Sequence, residues 1–323
     1  MDSNRLKVLI TVDVELWPRQ WDLGEVAFKE AWCRYILGTT AKGDYGLPFQ
    51  LKLLEQHGIR AVFLVESLFA WQYGIGPLRE IVAMIADSGQ EIQLHLHAEW
   101  SHRSKLPILP GRSGIRLRDY SEADQEVLVS LGVDHLHEAG VKEIRAFRAG
   151  GYGADLATLR VVAKQGIAYD SSYNPAYLSS HCGIITEGVL QQPFGIAGII
   201  EFPITTFEAP PARLRHAQIT SCSLTEITGL LQKAQQAGWH SVVIVSHGHE
   251  LLNADRTKPN PIAIRRFEGL CRFLADHSNR FEAAGFADVA LNTMALPPQR
   301  APLSSSIWGA MRRAGEQLLM RVL

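Results

Sequence analysis

Short apolar segments, rich in β-branched residues and each ending on a polar residue able to do chemistry, constrain this chain most. Lys7–Val12 ends on Asp13, Glu91–Leu94 on His95 and Ile144–Phe147 on Arg148; Ala168–Asp170 ends in Asp170, and Ser241–Val245 leads into His247. Between them lie stretches with apolar residues at helical spacing. Leu47–His57 stops at Gly58 and is followed by a strand-like Ala61–Val65; Leu78–Asp87 stops near Gly89, Leu156–Lys164 at Gly166 and Leu224–Ala237 at Gly238. Another helix opens at Ser121 and reaches Gly140. Glycine at these stops is the usual end signal of a helix. Helix-then-strand repetition implies parallel strands with helices packed outside. In a parallel barrel the C-terminal strand ends converge on one face, where active sites are built. Asp13, His95, Arg148, Asp170 and His247 are thereby expected to meet.

With 323 residues, the chain is long enough for one such barrel with a large core. Its formal charge of −1 gives no ground for a nucleic-acid partner, which needs a clustered basic surface. Cys33, Cys182, Cys222 and Cys271 lie far apart, so neither a zinc knuckle nor a disulfide framework is indicated. Val8-Leu9-Ile10 is too short for the apolar core of a signal peptide, and no run of about 18 apolar residues is present. A cytoplasmic protein is expected.

The tail differs. Pro297-Pro298 and Pro302 break regular structure, and Ser304–Ser306 can cap a last helix over Ile307–Val322. Residues 1–292 are therefore read as the barrel and 293–323 as a proline-containing linker and an amphipathic helix. Ile307, Trp308, Met311, Leu318, Leu319 and Val322 alternate along it with Arg312, Arg313 and Arg321. Such a helix packs back on the domain or on a second subunit; the alternative is that it lies on a membrane surface.

Five motifs carry chemistry. In Thr11-Val12-Asp13-Val14-Glu15, two carboxylates at a strand end can share one site, one binding a metal while the other takes a proton from water. Glu91–His102 holds His95, His97, Glu99 and His102 directly after a strand, ligand material for a divalent cation. In Arg148-Ala149-Gly150-Gly151-Tyr152-Gly153 the arginine can pair with a carboxylate, and the glycines free backbone N–H groups to hold an oxyanion. Tyr169-Asp170-Ser171-Ser172 supplies another strand-end carboxylate. Val242–His247 delivers a histidine suited to general acid work, followed by His249 and Glu250, which read as loop residues.

In order and content these motifs resemble those of the polysaccharide deacetylases, the NodB-homology carbohydrate esterases, over roughly residues 6–292. The resemblance extends to Leu54–Val65 and Ile85–Ile92, the stretches before the histidine motif. It implies a distorted (β/α) barrel, one divalent ion (zinc, with cobalt, manganese or nickel able to serve) and hydrolysis of an acetyl group on a sugar. It makes Asp13 the base, Arg148 the residue that holds it, Asp170 the fourth-motif acid and His247 the acid that protonates the leaving amine. Tyr152 takes the position whose backbone N–H helps form the oxyanion hole. The metal aspartate usual after the base is Val14 here, so Glu15 becomes the candidate ligand, with His95. The second histidine of that motif is Glu99; a carboxylate oxygen can still bind zinc, and His97 is the alternative ligand.

The expected function is removal of an acetyl or other acyl group from an N-acetylated sugar, a precursor of surface polysaccharide or glycolipid, in the cytoplasm or at the membrane. A deformylase or another C–N hydrolase is the related alternative. A non-catalytic carbohydrate-binding homologue is the one of different class, because Val14 and Glu99 depart from the family pattern.

Overall fold

The computed structural model describes residues 5–210, 213–289, 291 and 294–322, without the side chains of 321 and 322. The expected boundary at residues 292–293 lies outside the described residues. The strands are β1 (Leu6–Val14), β2 (Thr39–Thr40), β3 (Gly43–Asp44), β4 (Val62–Glu66), β5 (Glu91–Leu96), β6 (Ala146–Ala149) and β7 (Tyr169–Asp170). They continue as β8 (Phe194–Ile196), β9 (Ile199–Glu201), β10 (Thr206–Ala209), β11 (Arg213–His216), β12 (Ser241–His247), β13 (Phe281–Ala283) and β14 (Leu303–Ser304). The helices are α1 (Glu25–Ala31), α2 (Leu47–His57), α3 (Ala70–Tyr73), α4 (Ile75–Asp87), α5 (Trp100–Arg103), α6 (Glu122–Glu138), α7 (Leu156–Lys164), α8 (Leu224–Gln236), α9 (Pro261–Asp276) and α10 (Ile307–Val322).

Nine strands form one curled sheet in the order β12-β1-β4-β5-β6-β7-β9-β8, with β13 also on β1. Every pairing in it is parallel except β8 with β9. The sheet closes by irregular chain. Thr205 N–H donates to the Val243 carbonyl, Ile219 N–H to that of Val245, and Val245 N–H to that of Ala217 across the same gap. The result is the expected distorted (β/α) barrel.

Side chains alternate across a strand, and this period of two fills the barrel and sets its chemistry. Leu9, Val62, Leu64, Ala146, Val243 and Val245 pack together as an inner core. Two and four residues beyond Leu9 on the same face come Thr11 and Asp13; Val245 leads likewise to His247, and Leu64 to Glu66. Apolar residues thus plug the lower barrel while polar ones finish its upper rim. The opposite faces, including Val8, Ile10 and Phe63, join the larger core under the helices.

Several boundaries moved for local reasons. α4 starts at Ile75 rather than Leu78, because Pro77 sits in the first turn, where no N–H partner is needed. β6 starts at Ala146, since the Gln93 side chain accepts from the N–H groups of Arg145 and Ala146. Ser121 caps α6 through Asp124 N–H, and Ser306 caps α10 through Gly309 N–H at 3.0 Å. α10 docks on α8 and α9 through Arg313–Glu226 and Arg266–Glu316. Among the described residues no helix is long and apolar enough to cross a membrane.

Candidate metal centre and active site

β1 and β12 run in register, with Asp13 beside His247. On the neighbouring pair β5–β6, His95 lies beside Arg148. Arg148 is fully buried, and all three of its guanidinium nitrogens donate: Nη1 to Asp13 Oδ1 at 2.7 Å, Nη2 to Thr11 Oγ1 at 2.9 Å and Nε to the Ser171 carbonyl at 3.0 Å. A charge that deep is tolerated only with such partners. It fixes one Asp13 oxygen and leaves the other free.

Three donors converge nearby. Glu15 Oε1 is 3.2 Å from His95 Nε2 and 3.0 Å from His97 Nε2, and these groups could hold a cation together. His95 Nδ1 lies 2.8 Å from the Arg148 carbonyl, which can only accept, so Nδ1 carries the proton. In the neutral ring the Nε2 lone pair then faces a carboxylate oxygen, a repulsive contact that a cation between them would relieve. His97 Nδ1 is turned to Glu99 Oε2 at 3.4 Å, the outer carboxylate that orients metal-binding imidazoles. The donor set fits a divalent ion held by Glu15, His95 and His97. A second combination, Asp13, Glu15 and His247, shares Glu15 with it.

Glu99 therefore lies behind His97 and not among the converging donors. His95 and His97 both turn their Nε2 atoms to Glu15, whereas Glu99, already helical in backbone just before α5, reaches only the far nitrogen of His97. Asp170 also sits apart. It is bound by Ser172 N–H and Oγ, and has Glu201 beside it in the register of β7 and β9. Burial pushes its carboxyl up to about 7 against the pull of Ser172 and Arg148. Asp13 and His247, expected to meet, stand side by side on adjacent strands.

Tyr152 has a left-handed backbone, φ 59°, directly after Gly151 at φ 57°. A non-glycine residue held so is a form of strain that clusters at functional sites. Gly150 is required for a different reason: a Cβ there would come within 2.5 Å of the His97 ring. The Tyr152 ring stacks on Tyr177 at 5.7 Å, and His216 packs against both, making an aromatic wall beside the centre.

Other site residues escaped the sequence reading. Trp17 donates to Glu15 Oε2 at 2.8 Å and meets the His97 ring edge-on. Glu66 accepts from Leu68 N–H at 2.6 Å and from His97 N–H, and burial drives its carboxyl to about 8. It ends a buried strand just as Asp13 does, so the same signal marks it. Glu250 lies in the turn after β12, as expected of a loop residue, but it is buried, takes hydrogen bonds from Gln218 and Thr220, and lies 3.8 Å from His247 Nδ1.

The charges set the protonation pattern. Burial favours neutral groups, yet His97 and His95 hold Glu15 well below the usual carboxylate range, and Glu15 and Glu99 hold His97 well above the usual imidazole range. A proton and a cation therefore compete for the same nitrogen. Against its own burial, His247 is raised to about 9 by Glu250, Glu15 and Asp13.

No family model matches the sequence, and no curated protein does. Solved structures match by shape. A protein assigned as a polysaccharide deacetylase from Mycobacterium smegmatis superposes with TM-score 0.53 and 16% identity, over 90% of this chain and 96% of its own. Another so assigned, from Pseudomonas aeruginosa PAO1, gives 0.53 and 15% over 88% and 89%. A 4-alpha-glucanotransferase from Thermococcus litoralis gives 0.54 and 10%, covering 99% of this chain and 46% of its own. Likeness at these identities is one of fold, and the third case shows one fold serving another reaction. With its curled parallel sheet and its motif order, the chain has the fold of the NodB-type polysaccharide deacetylases.

Proposed function

We propose that this chain is a metal-dependent hydrolase that removes the acyl group, acetyl in the simplest case, from an N-acylated amino sugar of a surface-polysaccharide or glycolipid precursor. The observation that carries this reading is the convergence of Glu15, His95 and His97 next to the Asp13–Arg148 pair and His247. When bound there, a divalent ion, zinc being the natural fit for such donors, would polarise the acyl carbonyl and acidify the attacking water.

The chain's own residues do the rest. Arg148 pins one Asp13 oxygen, and the free one takes the proton from water as it attacks. His247 stands in register beside Asp13, stays protonated to about pH 9, and delivers its proton to the leaving nitrogen. Tyr152, strained into place after two glycines, presents its backbone where the oxyanion develops. Asp170 acts through its field on Arg148. The wall of Tyr152, Tyr177 and His216 suits the apolar face of a pyranose ring.

The test pairs metal analysis with product analysis. Purified protein is expected to carry one divalent ion and to release the acid, acetate or formate, from N-acylated glucosamine oligosaccharides. His95→Ala should lose ion and activity while the barrel stays folded. A full equivalent of metal in that variant refutes the assignment; metal-loaded protein that hydrolyses no acylated amino sugar refutes the substrate class.

A further inference from the structure

The last helix is docked inside out. Its charged side faces the body: Arg313 pairs with buried Glu226, Glu316 pairs with Arg266 at 2.8 Å, and the Gly309 carbonyl accepts from Ser223 Oγ at 3.2 Å. Its apolar side faces out, with Ile307 67%, Trp308 78%, Met311 60%, Leu318 64% and Leu319 59% exposed. At 100° per residue these five fall within one third of the helix circumference. A helix that only stabilised the barrel would bury that stripe, so something else covers it.

Its place points to the same end as the active site. Arg266, which holds Glu316, also donates to the carbonyls of Ile219 and Thr220, and the Thr220 hydroxyl binds Glu250 beside His247. The rim of the stripe is basic. Arg312 keeps 61% of its side chain exposed, and the exposed Lys233 of α8 donates to the carbonyl of Ser304, two residues before the Ser306 cap of α10. The one acidic residue of α10, Glu316, is spent on arginines. A twofold dimer through this face would set two cationic rims against each other. A lipid surface with anionic headgroups complements both features, and Trp308 is a residue that favours such an interface.

We infer that α10 is a peripheral membrane contact that lays the catalytic end of the barrel against an anionic lipid surface. This stands apart from the chemistry proposed above, since no residue of that chemistry lies on α10. The full chain should co-sediment with phosphatidylcholine vesicles containing phosphatidylglycerol, less with phosphatidylcholine alone, and less as salt rises. The combined variant Trp308→Ser, Leu318→Ser and Leu319→Ser alters only exposed side chains. It should keep its thermal midpoint and lose affinity for the anionic vesicles by about tenfold or more. Wild-type protein that stays in the supernatant, or a triple variant that binds equally well, overturns the inference. So does a dimer in solution that the triple variant dissolves while vesicles are ignored.

Discussion

Two buried arginine–carboxylate pairs in this molecule are alike in composition and opposite in use. Arg148–Asp13 lies inside the barrel with side-chain exposures of 0% and 5%, and Arg313–Glu226 lies under the last helix with 8% and 0%. Neither is expected to add much net stability, since desolvation offsets the attraction. What each supplies is position. The inner pair holds one carboxylate oxygen so that the other can act. The outer pair fixes which side of α10 meets the body, and so which side is left for a partner. The inner arginine spends its other donors on Thr11 and Ser171, whereas Glu226 keeps bonds to Ser223 if its arginine is lost.

Variants can break that comparison. The largest effect is expected in the proton-transfer groups: Asp13→Asn or His247→Ala should cost about 10²–10⁴ in kcat with metal content intact. Near-normal turnover in either would remove it from the chemistry. Arg148→Met strands Asp13 in the barrel and should lower stability by about 3–5 kcal/mol in denaturant unfolding, with activity lost besides. Arg313→Met should cost less, about 1–3 kcal/mol, and leave hydrolysis of a soluble substrate unchanged. Equal losses in both arginine variants would mean that the two pairs do the same job.

Metal affinity sharpens the picture further. Glu99→Ala should weaken binding by about 10–100-fold, as the loss of an orienting carboxylate does. His97→Ala should abolish it, and the reverse ranking would make Glu99 the ligand. The smallest effect is a shift in pH profile. Because Glu250 helps raise His247, the proton-bearing form persists to higher pH; Glu250→Gln should move the alkaline limb of kcat/KM to lower pH. An unmoved limb would separate Glu250 from His247.

Much of this was legible in the chain. Strand-end positions gave Asp13, His95, Arg148 and His247, because a period of two and parallel pairing carry a one-dimensional pattern onto one rim. The position of Glu99 was not legible, since it depends on where extended chain gives way to α5, a boundary of one or two residues. Trp17 and Glu250 lie past the strand ends, where no periodicity operates and only tertiary contacts choose orientation. The irregular closure through Thr205 and Ile219 left no signal for the same reason. On α10 the apolar stripe was visible, but its outward direction was set by Glu226 and Arg266 on other helices.

The pairing of β1 has a consequence for synthesis. Its rim residues face β12, where Thr11 Oγ1 bonds the Ile244 carbonyl and Asp13 stands beside His247, and its first residues, Leu6–Val8, pair with β13. While the ribosome makes the intervening chain, β1 carries an open, strongly apolar edge, a template for wrong pairing. Such distant contacts also slow folding. The Asp13–His247 pairing comes into being only when β12 emerges, and until then only β4 is at hand to cover one edge of the first strand.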